Sequence, residues 1–165
     1  MLHYLFEERK PFTKRLYHGT QSRPDYTSAQ HTGYNSTAFG PYNSERHAIF
    51  LTDDPNFASL YGNVYTFEVR FKNMFDGDLK EMAFRAARTI DAHGPNRDIW
   101  IDLMNVRDEM IWALFEDELG EYFVSYMKDQ GYDSVFFEEE HSEAGKSTMV
   151  NTYAAFDPTS IKMVD

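Results

Sequence analysis

Hydrophobic and polar residues alternate along one segment in the first half of the chain. In VYTFEVRF (64–71), every second position is aromatic or aliphatic, at Tyr65, Phe67, Val69 and Phe71. A period of two is typical of a β-strand with one buried face. The short apolar run HAIFLT (47–52) predicts a second, buried strand.

A short helix is predicted between these two strands. Asp54 is a suitable N-cap, Pro55 suits the first helical position, and Gly62 suits the end of the helix. The face of this helix that points toward the core is expected to carry Phe57, Ala58 and Tyr61.

The middle of the chain, about residues 78–130, changes to a helical period. Apolar residues recur there every three or four positions, which predicts amphipathic helices with one buried stripe each. The three stripes are Leu79, Met82, Ala83, Ala86 and Ile90; Trp100, Leu103, Met104, Ile111, Leu114 and Phe115; and Leu119, Tyr122, Phe123, Tyr126 and Met127. Gly131 follows the last stripe and is predicted to cap it.

Strands return after the helices. The segments are YDSVFF (132–137), TMVNTYAAF (148–156) and SIKMV (160–164), and a polar hairpin arm, EEEHSEAGKS (138–147), joins the first two. This order predicts an α+β domain with a mostly antiparallel sheet. The length of 165 residues fits a single domain, 1–165. Residues 21–47 predict a long irregular connection of the kind that lines a site.

The charge balance narrows the classes of partner. Sixteen basic and 27 acidic residues leave a formal net charge of −11, so the averaged field repels phosphate backbones and anionic lipids. The charge therefore argues against nucleic acid as a partner. No stretch approaches the roughly 20 apolar residues that span a bilayer, and the start of the chain lacks a leader pattern. We expect a cytoplasmic protein without membrane association.

Metal and thiol chemistry are not expected. The chain has no cysteine, which excludes disulfides, thiolate nucleophiles and cysteine-based zinc sites. Its histidines also lack the i, i+4 spacing of a helix-borne zinc pair.

The first predicted strand ends on His18, Gly19 and Thr20. An imidazole at a sheet margin, a glycine that lets a ligand approach the backbone, and a hydroxyl together suit a small polar ligand. The alternative is that His18 is a buried, hydrogen-bonded histidine and Gly19 a turn residue.

Three segments taken together resemble the ADP-ribosyltransferase fold of the diphtheria-toxin and poly(ADP-ribose) polymerase type. They are YHGT (17–20), AIFLTDDPNFASLYG (48–62) and NTYAAFDPTSIKMV (151–164). They contain a strand end like the family's His-Gly-Ser/Thr, a spacing of eleven between Phe50 and Tyr61, and Asn151-Thr152-Tyr153 where the family has Asn-Glu-Tyr. The resemblance covers roughly residues 14–75 and 130–164, and the chain is also similar to small transferase domains of phages and mobile elements.

The resemblance implies split antiparallel sheets around a cleft for NAD, with a helical insertion in the middle. By it, His18 would hold the adenosine-side ribose, and the backbone of Gly19 alone would hold the nicotinamide carboxamide. The Thr20 hydroxyl would be a further polar contact with the cofactor. Phe50 and Tyr61 would enclose the nicotinamide ring, where each stacked face is worth about 0.5–1.5 kcal/mol. Both aromatics could instead belong to the core.

The diphosphate of NAD needs positive charge nearby. Basic residues cluster around the strand that carries His18, and among them Arg15 and Arg23 are the expected contacts. The alternative for these side chains is an ordinary solvated surface.

The chain departs from the family at Thr152, which stands where active members have a catalytic glutamate. Loss of such a preorganised group typically costs about 100- to 1000-fold in rate. A relocated acid could compensate, and the hairpin arm carries the candidates Glu138, Glu139, Glu140 and Glu143. Glu138 or Glu140 is expected at the mouth of the pocket, because only one parity of a strand points inward. The alternative is that these glutamates form a charged edge that opposes aggregation.

The function implied is a mono-ADP-ribosyltransferase of phage or prophage origin. It would move ADP-ribose from NAD to a host macromolecule, with a host protein as the expected acceptor. The alternative, motivated by Thr152, is a catalytically inactive domain of the same fold that acts as a binding or interaction module.

Overall fold

The structure is a computed structural model and describes residues 10–20, 34–35 and 45–164. Its strands are β1 (Phe12–Thr20), β2 (Tyr34–Asn35), β3 (Glu45–Arg46), β4 (Ile49–Thr52), β5 (Asn63–Phe71), β6 (Met74–Phe75), β7 (Ser134–Glu143), β8 (Lys146–Ala155) and β9 (Ile161–Val164). Its α-helices are α1 (Pro55–Ala58), α2 (Leu79–Ala87), α3 (Arg97–Met104) and α4 (Asp117–Asp129). Short 3-10 helices occupy Ser59–Tyr61, Asp108–Phe115 and Pro158–Ser160.

The strands confirm the predicted α+β class. In the part of the chain that the structure describes, seven strands form one sheet in the order β6-β7-β8-β4-β1-β5-β9. Neighbouring strands are antiparallel except β6 and β7, which run parallel. Strands β2 and β3 pair separately. Most of the predicted connection 21–47 lies outside the described residues.

The expectation of two split sheets is corrected, because all seven strands belong to one sheet. The sheet is nevertheless weakly joined in the middle. Strands β1 and β5 share nine registered pairs, from Phe12↔Phe71 to Thr20↔Asn63, whereas β1 and β4 share one, Tyr17↔Thr52. We call the β1–β4 junction the seam. Strand β4 is only four residues long, and it shares four registered pairs with β8 but one with β1.

Two apolar clusters cover the opposite faces of the sheet. Alternate residues of β4 separate between them: Ile49 and Leu51 belong to one cluster, and Phe50 packs against the other. The predicted alternation of β5 is confirmed, since Phe67, Val69 and Phe71 are buried. The helices supply most of the cluster on the Phe50 side, which we call the helix face.

The helix boundaries follow the predicted signals with one exception. The Asp54 side chain accepts hydrogen bonds from the first turn of α1, and Gly131 follows α4 with a φ of 94°. The second stripe is not one helix, because α3 ends at Met104, which is exposed. The chain then enters the 3-10 helix Asp108–Phe115. Within the described residues, none of the helices is long and apolar enough to cross a membrane.

Helix α1 packs directly on the end of β1. A Cβ atom added at Gly19 would lie 1.7 Å from the carbonyl oxygen of Ala58. Only glycine permits this separation. The contact fixes α1, and the 3-10 turn that follows it, over the C-terminal end of β1.

Gly19→Ala is expected to destabilise the protein, because the new methyl group would collide with the α1 backbone. Overpacking of this kind lowers the free energy of unfolding by about 1–3 kcal/mol. Urea denaturation measures the change. The matched control is Gly94→Ala, where the nearest atom of Asp91 would be 3.2 Å away. Equal losses in the two variants would contradict the packing described for α1.

Candidate functional site

A row of paired residues crosses the helix face at the seam. Thr52 of β4 pairs with Tyr17 of β1 on one side and with Thr152 of β8 on the other. Thr152 pairs in turn with Phe137 of β7. Residues directly opposite each other point to the same face of a sheet. Glu139, two positions beyond Phe137 on β7, therefore points to that face as well.

The side chains of Thr152 and Glu139 are hydrogen-bonded. Thr152 Oγ1 donates to Glu139 Oε2 over 2.6 Å. Thr152 is 3% exposed, and Glu139 is half-buried. Burial raises the pKa of Glu139 above its ordinary value of 4.5, while the Thr152 hydrogen bond and the charges of Arg46 and His141 act in the opposite direction. A carboxyl group held this way titrates closer to neutral pH than an exposed glutamate does.

An open cleft with a volume of about 360 Å³ has Glu139 in its lining. This volume lies in the range of small-molecule sites, roughly 300–1,000 Å³. Aromatic lining comes from Phe57 and Tyr61 near α1 and from Trp112 of the 3-10 helix. The acidic lining residues besides Glu139 are Asp108, Glu109, Glu138 and Glu140.

Ring contacts connect the aromatic lining to the hairpin. The Phe57 ring packs edge-on against Tyr61, with ring centres 5.5 Å apart. It also packs edge-on against the imidazole of His141, at 5.2 Å. His141 follows Glu139 by two positions on β7 and shares its face. These contacts join α1 to the part of β7 that carries the carboxylate.

Arg46 is one of two basic residues, with His141, whose charge acts on Glu139. Its Nε lies 3.3 Å from Glu116 Oε1, and both side chains are largely buried. Its guanidinium also lies over the Phe50 ring, 5.0 Å from the ring centre. Arg46 is thus held in place from two sides, which fixes a positive charge beside an otherwise acidic cleft.

His18 is buried, with 5% of its surface exposed. Its Nδ1 lies 2.7 Å from the carbonyl oxygen of Phe50, which accepts the hydrogen bond. This contact matches the alternative of a buried, hydrogen-bonded histidine. It also ties β1 to β4 just beyond the Tyr17–Thr52 pair. Gly19 is explained by its close approach to Ala58, and the Thr20 side chain and Arg23 lie outside the described residues.

The two predicted nicotinamide-binding aromatics have different neighbours. Phe50 packs edge-on against Phe115 at 5.4 Å and against Phe137 at 5.9 Å, within the apolar cluster of the helix face. Tyr61 is 40% exposed and lines the cleft. Its predicted place on a buried helix face is therefore corrected, because the 3-10 turn rotates it toward solvent. The alternative of core packing applies to Phe50.

Arg15 is exposed and pairs with Glu68 of β5. It shares a face of β1 with Gly19, four residues away. At a strand rise of about 3.3 Å per residue, this separates the two by about 13 Å.

The sequence predicts Glu138 or Glu140 at the mouth of the pocket, and both line the cleft. Both are exposed, and Glu140 accepts a hydrogen bond from Ser147. Glu139 is the residue that contacts Thr152. The run Val135, Phe136, Phe137 is apolar at every position, so it hides the alternation that would have shown the parity.

The hairpin turn carries a sequence signal that indicates which residues of β7 share a face with Thr152. Ala144 and Gly145 have φ angles of 52° and 77°, which are typical of a two-residue type I′ turn. Counting back from this turn pairs Phe137 with Thr152 and places Glu139 on the Thr152 face. The Ala-Gly pair is a weak signal, since alanine rarely adopts a positive φ.

Among the residues that the structure describes, no group of three or more histidine, aspartate or glutamate side chains is placed to hold a metal ion. Comparisons with family models, with curated proteins and with solved structures return no match. The functional argument therefore rests on the geometry of the cleft.

Glu139→Gln is expected to stabilise the protein at neutral pH. Because burial raises the pKa of Glu139, the folded protein binds this proton more tightly than the unfolded chain does, and stability falls as pH rises from about 4.5 through the raised pKa. Glutamine keeps the shape and the acceptor for Thr152 but does not ionise. In thermal melts from pH 4 to pH 8, the melting temperature of the variant should rise relative to that of the wild type as pH increases.

The control for this titration is Glu121→Gln, on an exposed position of α4. It should follow the wild-type pH dependence. A Glu139→Gln variant that loses stability relative to wild type at pH 7 would contradict the burial cost assigned to this carboxylate.

Proposed function

We propose that this chain is an ADP-ribosyltransferase-like enzyme that transfers one ADP-ribose unit from NAD to a protein of the host cell. The proposal follows the resemblance in the sequence, including its likeness to domains of phages and mobile elements, and takes the cytoplasm as the place of action. The observation that carries it is the Thr152–Glu139 hydrogen bond. It supplies a carboxylate next to Thr152, the position where this chain lacks the glutamate of the family motif.

The reaction requires a group that stabilises positive charge on a ribose. The bond between ribose C1′ and the nicotinamide nitrogen breaks, its electron pair goes to that nitrogen, and nicotinamide leaves as a neutral molecule. The acceptor forms a bond to C1′ and releases a proton. A negative group close to C1′ favours this oxocarbenium-like transition state, as in glycoside hydrolysis. The half-buried carboxylate of Glu139 has this character.

The residues present fit the nicotinamide end of NAD. Tyr61 and Trp112 supply aromatic surface in the cleft, and a cationic nicotinamide ring is attracted both to aromatic faces and to carboxylates. Gly19 lies beside α1 near the end of β1, whereas the side chain of His18 points to the other face of the sheet. The diphosphate would lie along β1, where we keep Arg15 as a proposed contact. Arg23, outside the described residues, is kept as a proposed contact from the sequence.

The acidic lining of the cleft affects which acceptors of ADP-ribose are favoured. Asp108, Glu109, Glu138 and Glu140 place negative charge around the cleft, which repels an anionic acceptor such as a nucleic acid. A protein segment is therefore the favoured acceptor, and a basic one more than an acidic one.

A second candidate function is a catalytically inactive domain that acts as an interaction module. It is favoured by Phe50, which packs against Phe115 and Phe137 instead of lining the cleft. One of the two aromatics expected to enclose nicotinamide is thus part of the core.

Incubation of the protein with NAD and a bacterial lysate separates the two candidates. The transferase should release nicotinamide and add the mass of ADP-ribose to at least one protein. Chromatography detects the nicotinamide, and mass spectrometry detects the adduct. Absence of nicotinamide release together with absence of NAD binding by calorimetry would favour the interaction module.

Tyr61→Ala is expected to lower nicotinamide release roughly 2- to 10-fold, because one stacked aromatic face is worth about 0.5–1.5 kcal/mol. Tyr61→Phe keeps the ring and should retain most of the activity. Leu60→Ala changes an exposed neighbour in the same turn and serves as the control. An unchanged rate in Tyr61→Ala would remove this side chain from the binding site.

A further inference from the structure

We propose that Glu139 is the catalytic carboxylate and Thr152 its positioning residue, so that the acid of the family motif has moved from β8 to the neighbouring strand β7. This inference rests on the proposed function and deepens it. The two residues have exchanged roles: the late strand carries the hydroxyl, and the adjacent strand carries the charge.

The sheet geometry allows a carboxylate carried by β7 to lie close to where one at position 152 of β8 would lie. Thr152 lies opposite Phe137, so Glu139 is its diagonal neighbour on the same face. Diagonal neighbours have Cα atoms about 7–8 Å apart, a distance that a long side chain can bridge. The 2.6 Å hydrogen bond brings the Glu139 carboxylate directly to Thr152. A glutamate that followed the family motif at position 152 would place its own carboxylate in the same region.

The hydrogen bond also orients the carboxylate. Thr152 donates to Oε2, so the position of that oxygen is restrained by a buried residue. We assign the other oxygen, Oε1, to a ribose hydroxyl of NAD. Positioning of this kind is what makes electrostatic stabilisation effective, because the group need not reorganise during the reaction.

Burial raises the pKa of Glu139, and the neighbouring charges offset part of that effect. Arg46, fixed by its ion pair with Glu116, and His141, fixed against Phe57, both favour the ionised form of Glu139. Partial burial lowers the screening by water, so the negative charge acts more strongly on a ribose cation.

The other glutamates of the hairpin arm fit the role less well. Glu140 is exposed and accepts a hydrogen bond from Ser147, near the turn. Glu138 is exposed and pairs with Asn151, whose parity is opposite to that of Thr152. Glu139 alone among these three contacts the motif position.

In the reaction, Oε1 of Glu139 accepts a hydrogen bond from the ribose hydroxyl while the C1′–nitrogen bond breaks. The electron pair of the C1′–nitrogen bond leaves with nicotinamide, and the acceptor nucleophile then bonds to C1′. The proton of the nucleophile passes to the carboxylate and from there to water. The overall change converts NAD and the protonated acceptor into nicotinamide, the ADP-ribosylated acceptor and one proton.

The first experiment compares single variants in the nicotinamide-release assay. Glu139→Gln should reduce the rate about 100- to 1000-fold, with NAD affinity by calorimetry changed much less. Glu138→Gln and Glu140→Gln should lose less activity, and the distant control Glu121→Gln should match the wild type. A larger loss in Glu138→Gln or Glu140→Gln than in Glu139→Gln would overturn the assignment.

The second experiment tests the exchange of roles. The double variant Glu139→Thr, Thr152→Glu returns the acid to the family position, and it should recover activity that Glu139→Thr alone has lost. Thr152→Val removes the donor to Oε2. It should shift the acidic limb of the rate profile to higher pH, because the hydrogen bond lowers the pKa of Glu139. Thr152→Ser keeps the hydroxyl and should restore the wild-type profile.

The outcomes separate the two proposals. A wild-type protein that releases no nicotinamide overturns both. An active wild type with an equally active Glu139→Gln variant overturns only the role of Glu139. An unshifted pH profile in Thr152→Val, with Glu139→Gln inactive, overturns only the positioning role of Thr152.

Discussion

The register of the β7–β8 hairpin is the constraint on which the candidate site depends. The turn at Ala144 and Gly145 pairs Glu143 with Lys146, and the ladder from there sets Thr152 opposite Phe137. Because side chains alternate along a strand, a slip of one residue would send Glu139 to the other face of the sheet. Strand β8 also pairs with β4, so the same register positions the carboxylate relative to the seam and to α1.

The cleft is built on the firmly packed α1 and β1, but it contains a carboxylate, Glu139, whose burial lowers the stability of the folded protein. Gly19 lets α1 sit on β1, and Asp54 caps α1 and so fixes the turn that carries Tyr61. Glu139, in contrast, is a carboxylate whose burial disfavours its charged form. Structural ion pairs also shift the pKa of acids, but this acid contacts a buried hydroxyl and lines an open cleft, a combination more typical of functional sites.

Local signals in the sequence predict much of the fold. The alternation of β5, the Asp54-Pro55 helix start and the stripes of α2 and α4 all correspond to observed elements, because each depends on neighbouring residues. Features that depend on residues distant in sequence could not be predicted from these local signals. Examples are the parallel pairing of β6 with β7 and the single sheet. The motif positions led to Thr152, and Glu139 was one of the candidate acids of the hairpin arm. Its contact with Thr152 was not predicted, because three successive apolar residues concealed the parity of β7. The packing of Phe50 in the core likewise depends on Phe115 and Phe137, which lie far along the chain.

A crystal structure with a non-cleavable NAD analogue tests the central claim most directly. The account predicts that the nicotinamide lies against Tyr61, that a ribose hydroxyl donates to Oε1 of Glu139 at hydrogen-bond distance, and that Thr152 still donates to Oε2. An analogue bound away from this cleft, or one whose ribose contacts Glu138 or Glu140 while Glu139 points elsewhere, would contradict it.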